Sequence, residues 1–199
     1  MPTSPFDDLN EEHRALMNEA GELKSTIRNL TGQETSSLGS ASVVRDELEM
    51  FRKKLRIHFR REEEALFPEA RRIISEGARG ADVFGSFFAE EAEDDMSAHA
   101  VLTSRVNEML EIANQLDERG RPDEETARRL LSLVNLTSSL LERHAAKEDT
   151  LIFPMLEKSL TSEQVDDVRS RVQQIGSDRD LTTAGEDEEE HLRQLGGDE

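Results

Sequence analysis

Apolar residues recur along this chain in alternating steps of three and four, and no segment alternates with a period of two, so the pattern predicts an all-α protein. A first helix is expected from about Phe6 to Leu30, with a seam of Leu9, position 13, Leu16, Ala20, Leu23, Ile27 and Leu30. Thr31-Gly32 stops it, and a Ser/Gly-rich loop follows from Glu34 to Ser40. A second helix runs from about Ala41 to Leu66 on Val44, Leu48, Phe51, Leu55, positions 58 and 62, and Leu66. Pro68 kinks it or starts a new turn, the helical pattern persists from Glu69 to Glu76, and Gly77 and Gly80 close the first half. A third helix is expected from Ala81 to Arg119 on Phe88, Ala92, positions 95 and 99, Leu102, Val106, Met109, Ile112/Ala113 and Leu116, with a break at Gly120-Arg121-Pro122. The fourth runs from about Asp123, a candidate N-cap, to Lys158 on Leu130, Val134, Thr137, Leu141, positions 144 and 148, Leu151 and Met155. Thr161 and Gln164 have capping-box spacing and open a short fifth helix to about Ile175. Three units result: a helical body over 6–158, a short helix over 159–176, and an acidic tail over 177–199 that is too poor in apolar residues to join a core.

The numbered gaps in these seams carry the chemistry. They hold His13, His58, Glu62, Asp95, His99, His144 and Glu148, all facing the core. Ionisable side chains are rarely buried unless paired or bound to a metal. The spacing also repeats. His13 and His99, His58 and His144, and Glu62 and Glu148 are each 86 residues apart, and so are Phe67-Pro68 and Phe153-Pro154. The chain therefore reads as two copies of one helical hairpin, each offering a lone His and a His-x3-Glu. His13 lies as far before the first loop as His58 lies after the second helix begins, and His99 and His144 are matched in the same way. Antiparallel packing then brings four imidazoles and two carboxylates to one level. His and Glu four residues apart share a helix face.

Six such donors overfill a tetrahedral zinc site and suit two metal ions, with each carboxylate able to bridge. Mixed imidazole and carboxylate ligands favour iron, with manganese and zinc as alternatives. Asp95 is a further candidate ligand on the same seam, but its repeat mate is Leu9. Glu63 and Asp149 obey the repeat and read as supporting or exposed groups. The two Phe-Pro pairs read as packing residues that cap the site and bend the helix.

Composition narrows the classes. Lys and Arg number 25 against 44 Asp and Glu, a net charge of −19, which argues against nucleic acid and anionic membrane as partners. The chain has no Cys, which excludes thiolate zinc sites, iron–sulfur clusters and Cys nucleophiles. No apolar run approaches membrane-spanning length, the first residues carry no apolar signal core, and a cytoplasmic protein is expected. There is no Trp and no Tyr.

The strings His58-Phe59-Arg60-Arg61-Glu62-Glu63-Glu64-Ala65-Leu66-Phe67-Pro68 and His144-Ala145-Ala146-Lys147-Glu148-Asp149-Thr150-Leu151-Ile152-Phe153-Pro154 resemble the two His-x3-Glu motifs of hemerythrin-like (HHE cation-binding) domains. His13 and His99 match that family's lone histidines, and the resemblance covers about residues 6–158. It implies an up-down-up-down four-helix bundle around a non-haem di-iron centre of two iron ions. Carried over, Glu62 and Glu148 bridge, His13 and His58 serve one iron, and His99 and His144 serve the other. The oxygen-carrying branch has a His where Asp95 stands, and its second bridging carboxylate is an Asp five residues after the fourth-helix His, where Asp149 follows Glu148 here. One iron thus loses a nitrogen ligand relative to that branch.

A ferritin-like di-iron bundle would need a Glu three residues before a seam His, and none stands there. The implied function is a di-iron protein that binds or senses O2, or a related small ligand such as peroxide or nitric oxide, at an open iron position. The alternatives are enzymatic turnover of peroxide or nitric oxide, and a metal-stapled, iron-sensing module that engages a protein partner. The sequence does not choose between them.

Overall fold

The computed structural model describes residues 4–31, 41–75, 81–119 and 124–176, with the backbone alone at residues 31, 73–75, 81–90, 92 and 117–119. Its elements are α1 (Pro5–Thr31), α2 (Ala41–Arg60), a π-helical turn π1 (Arg61–Leu66), α3 (Phe67–Ser75), α4 (Ala81–Arg119), α5 (Glu124–Lys147), a second π-helical turn π2 (Glu148–Ile152), α6 (Phe153–Ser159) and α7 (Ser162–Gln174). The described residues contain no strand, as the seam pattern requires. None of the described helices is long and apolar enough to cross a membrane. The expected stops at Gly32, Gly77, Gly80 and Gly120, the cap at Asp123, the end of the second helix at Glu76 and the tail 177–199 lie outside the described residues, as do the side chains of Phe88 and Ala92.

Helices α1, α2, α4 and α5 pack as a ring, each against the next and α5 back against α1. The α1–α2 pair is antiparallel. Thr26 bonds Glu47, Glu19 pairs with Lys54, and Glu12 pairs with Arg61, so one helix steps back by seven as the other steps forward by seven. That is the heptad spacing expressed as cross-helix pairs.

Two apolar clusters fill the bundle. The larger holds Leu16, Leu23, Ile27, Leu48, Phe51, Leu55, Leu102, Met109, Leu130 and Leu141 among others. The smaller holds Phe6, Leu9, Leu66, Phe67, Phe153 and Leu156, and is closed by Val168, Val172 and Ile175 of the C-terminal segment. Between the two clusters lies the layer of His13, His58, Glu62, His99, His144 and Glu148, each no more than 3% exposed.

Local chemistry explains the element ends. Pro5 takes the first position of α1, where its missing N–H costs nothing. At α7 the capping box forms as the sequence predicts: the Gln164 N–H donates to the Thr161 hydroxyl, and the Thr161 N–H donates to Gln164 Oε1 at 2.6 Å. Glu69, nearly buried, accepts from Arg72 of α3 and from Arg171 of α7, which ties the C-terminal helix to the bundle.

The two π turns depart from the regular helix expected through residues 41–66 and 123–158. In each, the N–H of a Phe bonds a carbonyl five residues back, Phe67 to Glu62 and Phe153 to Glu148. The following proline is the cause. Pro68 and Pro154 lack an N–H, and in a regular turn their rings would strike the carbonyls of Glu64 and Thr150; a wider turn relieves the clash. The sequence expectation of a kink at these prolines is thus met by an inserted turn that begins at or next to the buried glutamate.

Val168 is fully buried at the closed end of the bundle. Val168→Asp should lower stability by about 3 kcal/mol, because it sets an unpaired charge in an apolar cluster. Thermal or urea unfolding followed by circular dichroism measures this, and an unchanged midpoint would show that α7 is not part of the folded core.

Candidate metal centre

Each functional side chain is delivered by a different turn of the ring. His13 comes from α1, His58 from α2, His99 from α4 and His144 from α5, while Glu62 and Glu148 sit in π1 and π2. Donor atoms of His13, His58, Glu62, His144 and Glu148 all lie within 4.8 Å of one another. His99 joins them, with its Nε2 at 3.2 Å from Glu62 Oε2 and 3.3 Å from His144 Nε2. All six ligand candidates read from the seam therefore converge.

The imidazoles group in two pairs. His13 and His58 rings are 4.5 Å apart, and His99 and His144 rings 4.8 Å apart, both edge-on. Glu62 stands between the pairs: Oε1 faces His58 at 3.1 Å and His13 at 3.6 Å, and Oε2 faces His99. Glu148 Oε2 likewise lies 3.1 Å from His13 and 3.3 Å from His144.

The far nitrogen of each ring meets a second carboxylate. His13 Nδ1 is 2.7 Å from Asp149, His99 Nδ1 is 2.7 Å from Glu63, and His58 Nδ1 is 3.0 Å from Glu12. His144 Nδ1 faces Asp95, at the longer distance of 3.7 Å. These pairs form a circuit around the bundle. Glu12 of α1 serves α2, Glu63 of π1 serves α4, Asp95 of α4 faces α5, and Asp149 of π2 serves α1, one carboxylate–imidazole pair at each helix–helix interface. An Nδ1–H given to a carboxylate fixes the tautomer and turns the Nε2 lone pair inward, as in carboxylate–histidine–metal units.

Asp95 is buried beside the site, but it lies on the outer side of His144, where its Oδ1 accepts from Lys147 Nζ at 3.0 Å. Glu63 and Asp149, flagged by the repeat, are the partners of the lone histidines. Sequence reasoning missed Glu12, whose repeat mate is Ala98, and Phe59, which stacks on His99 at 3.8 Å and whose mate is Ala145. It also missed Arg61 and Lys147, basic mates at the same 86-residue offset, and that offset was the signal that could have found them. The Phe residues before Pro68 and Pro154 close the layer from below: Phe153 stacks on His13 at 5.7 Å and Phe67 on His99 at 6.3 Å.

The inner donor set is short of hydrogen bonds. Nε2 of His13, Nε2 of His58 and all four carboxylate oxygens of Glu62 and Glu148 are buried and make none, despite their close approach. Buried polar atoms seldom stay unmatched, and a cation matches this set. Without a cation, protons do the neutralising. Burial opposes the His13 cation, yet Glu148 and Glu62 outweigh it and push its pKa up to about 11. Burial likewise opposes His58 and His99, but Glu62, with Glu12 and Glu63, raises each to about 9. Burial and the Glu62 charge push Glu148 up to about 7, while the imidazoles around Glu62 overcome its burial and hold its carboxyl below the usual range.

The hemerythrin HHE cation-binding domain family matches the chain twice, over residues 4–95 and 92–194. The chain belongs to the hemerythrin HHE family. Each match contains one lone His and one His-x3-Glu of the internal repeat, and the family's four-helix bundle is the ring of α1, α2, α4 and α5. No curated protein matches the chain. Family membership and the His/Glu cluster together support cation binding at this layer.

Two outcomes follow from the geometry. Glu62→Ala or Glu148→Ala should abolish stable metal retention, whereas Glu63→Gln or Asp149→Asn should weaken it by about 10–100-fold, as loss of an imidazole's partner does elsewhere. Metal analysis after dialysis against graded chelator measures this, and equal losses would place the wrong carboxylates inside. The second outcome concerns pH. The metal-free folded state holds protons on His58 and His99 that the unfolded chain releases near pH 6.5. The share of stability that these two protons supply should be full below about pH 6.5 and be lost as pH rises through about 9. Urea midpoints of the chelated protein at pH 6.5 and 9.5 test the sign, and a higher midpoint at 9.5 would refute it.

Proposed function

We propose that this hemerythrin HHE protein holds a non-haem di-iron centre and uses it to bind or sense O2 or a related small ligand, peroxide or nitric oxide. The observation that carries this reading is the convergence of four Nε2 atoms and two carboxylates, arranged as two imidazole pairs with Glu62 between them. His13 and His58 would hold one iron, His99 and His144 the other, with Glu62 and Glu148 shared. This donor set of nitrogen and oxygen, without thiolate, suits iron in either common oxidation state. Iron supplies reversible binding and electron transfer to a diatomic or peroxide ligand.

The chain's own residues favour binding over turnover. Proton-coupled turnover needs a side chain free to give or take a proton near the reacting atoms. Glu63 and Asp149 are the nearest such groups outside the inner set, and each is engaged by an imidazole N–H at 2.7 Å. Glu12 is shared between His58 and Arg61. These carboxylates orient ligands and are not free to shuttle protons. Phe59, Phe67 and Phe153 pack against the rings and give the layer an apolar surround. Asp95, in this reading, stands behind the fourth-helix His on its outer side and is not itself a ligand.

The absence of Trp and Tyr gives the reading a clean optical test. Protein purified from iron-replete cells should contain about two iron atoms per chain and absorb between roughly 300 and 400 nm through ligand-to-metal charge transfer, a range in which its aromatic side chains are silent. Reduction should bleach the bands, and air or peroxide should restore them. One tightly held zinc and no near-ultraviolet band would defeat the di-iron reading. Stable iron with no spectral response to O2, peroxide or nitric oxide would defeat the ligand-binding part alone.

A further inference from the structure

The carboxylate–imidazole circuit is closed at three interfaces and open at the fourth. His13, His99 and His58 each have an Nδ1 partner at 3.0 Å or less. Among the described residues, His144 Nδ1 finds no hydrogen-bond partner and neither does Asp95 Oδ2, although the two side chains are buried side by side. The repeat shows why. In the first hairpin Arg61 and His58 both draw on Glu12, but on different oxygens, Oε1 for the guanidinium and Oε2 for the imidazole. In the second hairpin the corresponding cation is Lys147, and it takes Asp95 through Oδ1, the same oxygen that faces His144. Lys147 is held there by Glu91 at 2.6 Å and Asp94 at 2.9 Å. Aspartate is also one methylene shorter than glutamate, and here its Oδ1 stands 3.0 Å from Lys147 but 3.7 Å from His144.

We infer that the two metal positions are inequivalent: the His13/His58 position binds tightly, and the His99/His144 position is the exchangeable one because Lys147 draws Asp95 away from His144. The inference rests on the two-metal reading above and adds which position is labile and which residues make it so. An imidazole whose N–H has no acceptor is a poorer donor and is less firmly oriented, at about 10–100-fold in metal affinity. Grooves reach both sides of the layer: one of about 1190 Å³ between α2 and α4 is lined by Phe59, Glu63, Met96 and His99, and a smaller one of about 380 Å³ is lined by Glu12, His58 and Arg61, so the wider approach lies on the His99 side. The looseness lies in His144 and not in His99, which is clamped between Phe59 and Phe67. Asp95 and Lys147 are positioning residues for that second position, as Glu12 and Arg61 are for the first.

Anaerobic calorimetric titration of the metal-free full chain with Fe(II) tests the assignment. Wild type should take up two ions in two steps, separated by about 10–100-fold in Kd. Asp95→Glu, long enough to reach His144 while Lys147 stays paired, should tighten the weaker step alone. Lys147→Met should do the same by releasing Asp95, and it serves as the second variant if a longer side chain disrupts packing at position 95. Glu12→Ala should weaken the tighter step alone. Two ions entering wild type with one affinity, or a weaker step that neither Asp95→Glu nor Lys147→Met moves, would overturn the inference and leave the di-iron reading standing. Uptake of fewer than two ions by every variant would overturn both.

Discussion

Two carboxylates and four imidazoles in the middle of an apolar bundle impose the constraint that the rest of this structure serves. Glu62 and Glu148 are both fully buried, and two like charges in that setting are costly unless cations or protons answer them. The fold supplies the answer in layers. Imidazole Nε2 atoms face the carboxylates, a second set of carboxylates holds the Nδ1 atoms of His13, His58 and His99, and two basic residues hold Glu12 and Asp95 in turn. The apolar clusters above and below confine the polar groups to a single level.

The pseudo-twofold repeat makes this layering economical. One hairpin pattern, a lone His followed by His-x3-Glu with an acid directly after it and a Phe-Pro pair five residues on, generates both halves of the site. The acid after each glutamate reaches the lone His of the other half: Glu63 meets His99, and Asp149 meets His13. The hairpins are thus cross-linked through their ligands. Each π turn belongs to the same pattern, because the proline that forces it follows directly on the Phe that stacks on a lone His. A layer supported in this way suits the ligand binding proposed above, since little has to rearrange when charge at the centre changes.

The repeat is broken where asymmetry has consequences. Glu12 faces Ala98 across it, Phe59 faces Ala145, and Asp95 faces Leu9. Each substitution leaves the inner six residues untouched and alters what stands behind them. In the proposed di-iron centre, two positions with the same nominal ligands would then have different surroundings, a route by which one ion could anchor the fold while the other exchanges. The C-terminal segment is tied to the first half by polar contacts as well as by packing, since Arg61 pairs with Glu12 and donates to the Ile175 carbonyl at 2.9 Å.

The sequence by itself determined the helices, their seams and the inner site. Heptad spacing fixed which side chains face inward, because a helix repeats its face every three to four residues whatever it packs against. The 86-residue offset fixed the pairing of His13 with His99, His58 with His144 and Glu62 with Glu148, and it singled out Glu63 and Asp149 as related positions. Tertiary structure alone decided which nitrogen of each ring faces inward and which acid meets it. Those contacts cross between helices, and they depend on the rotation of one helix against its neighbour and on the extra residue in each π turn, neither of which a periodic pattern encodes. Glu12 could not be read, because its mate in the repeat is Ala98 and it lies one position off the seam. Asp95 could be placed on the seam and no further: whether it meets a metal, His144 or Lys147 turns on the length of one side chain and the reach of another across the α4–α5 interface, and only packing resolves a difference of that size.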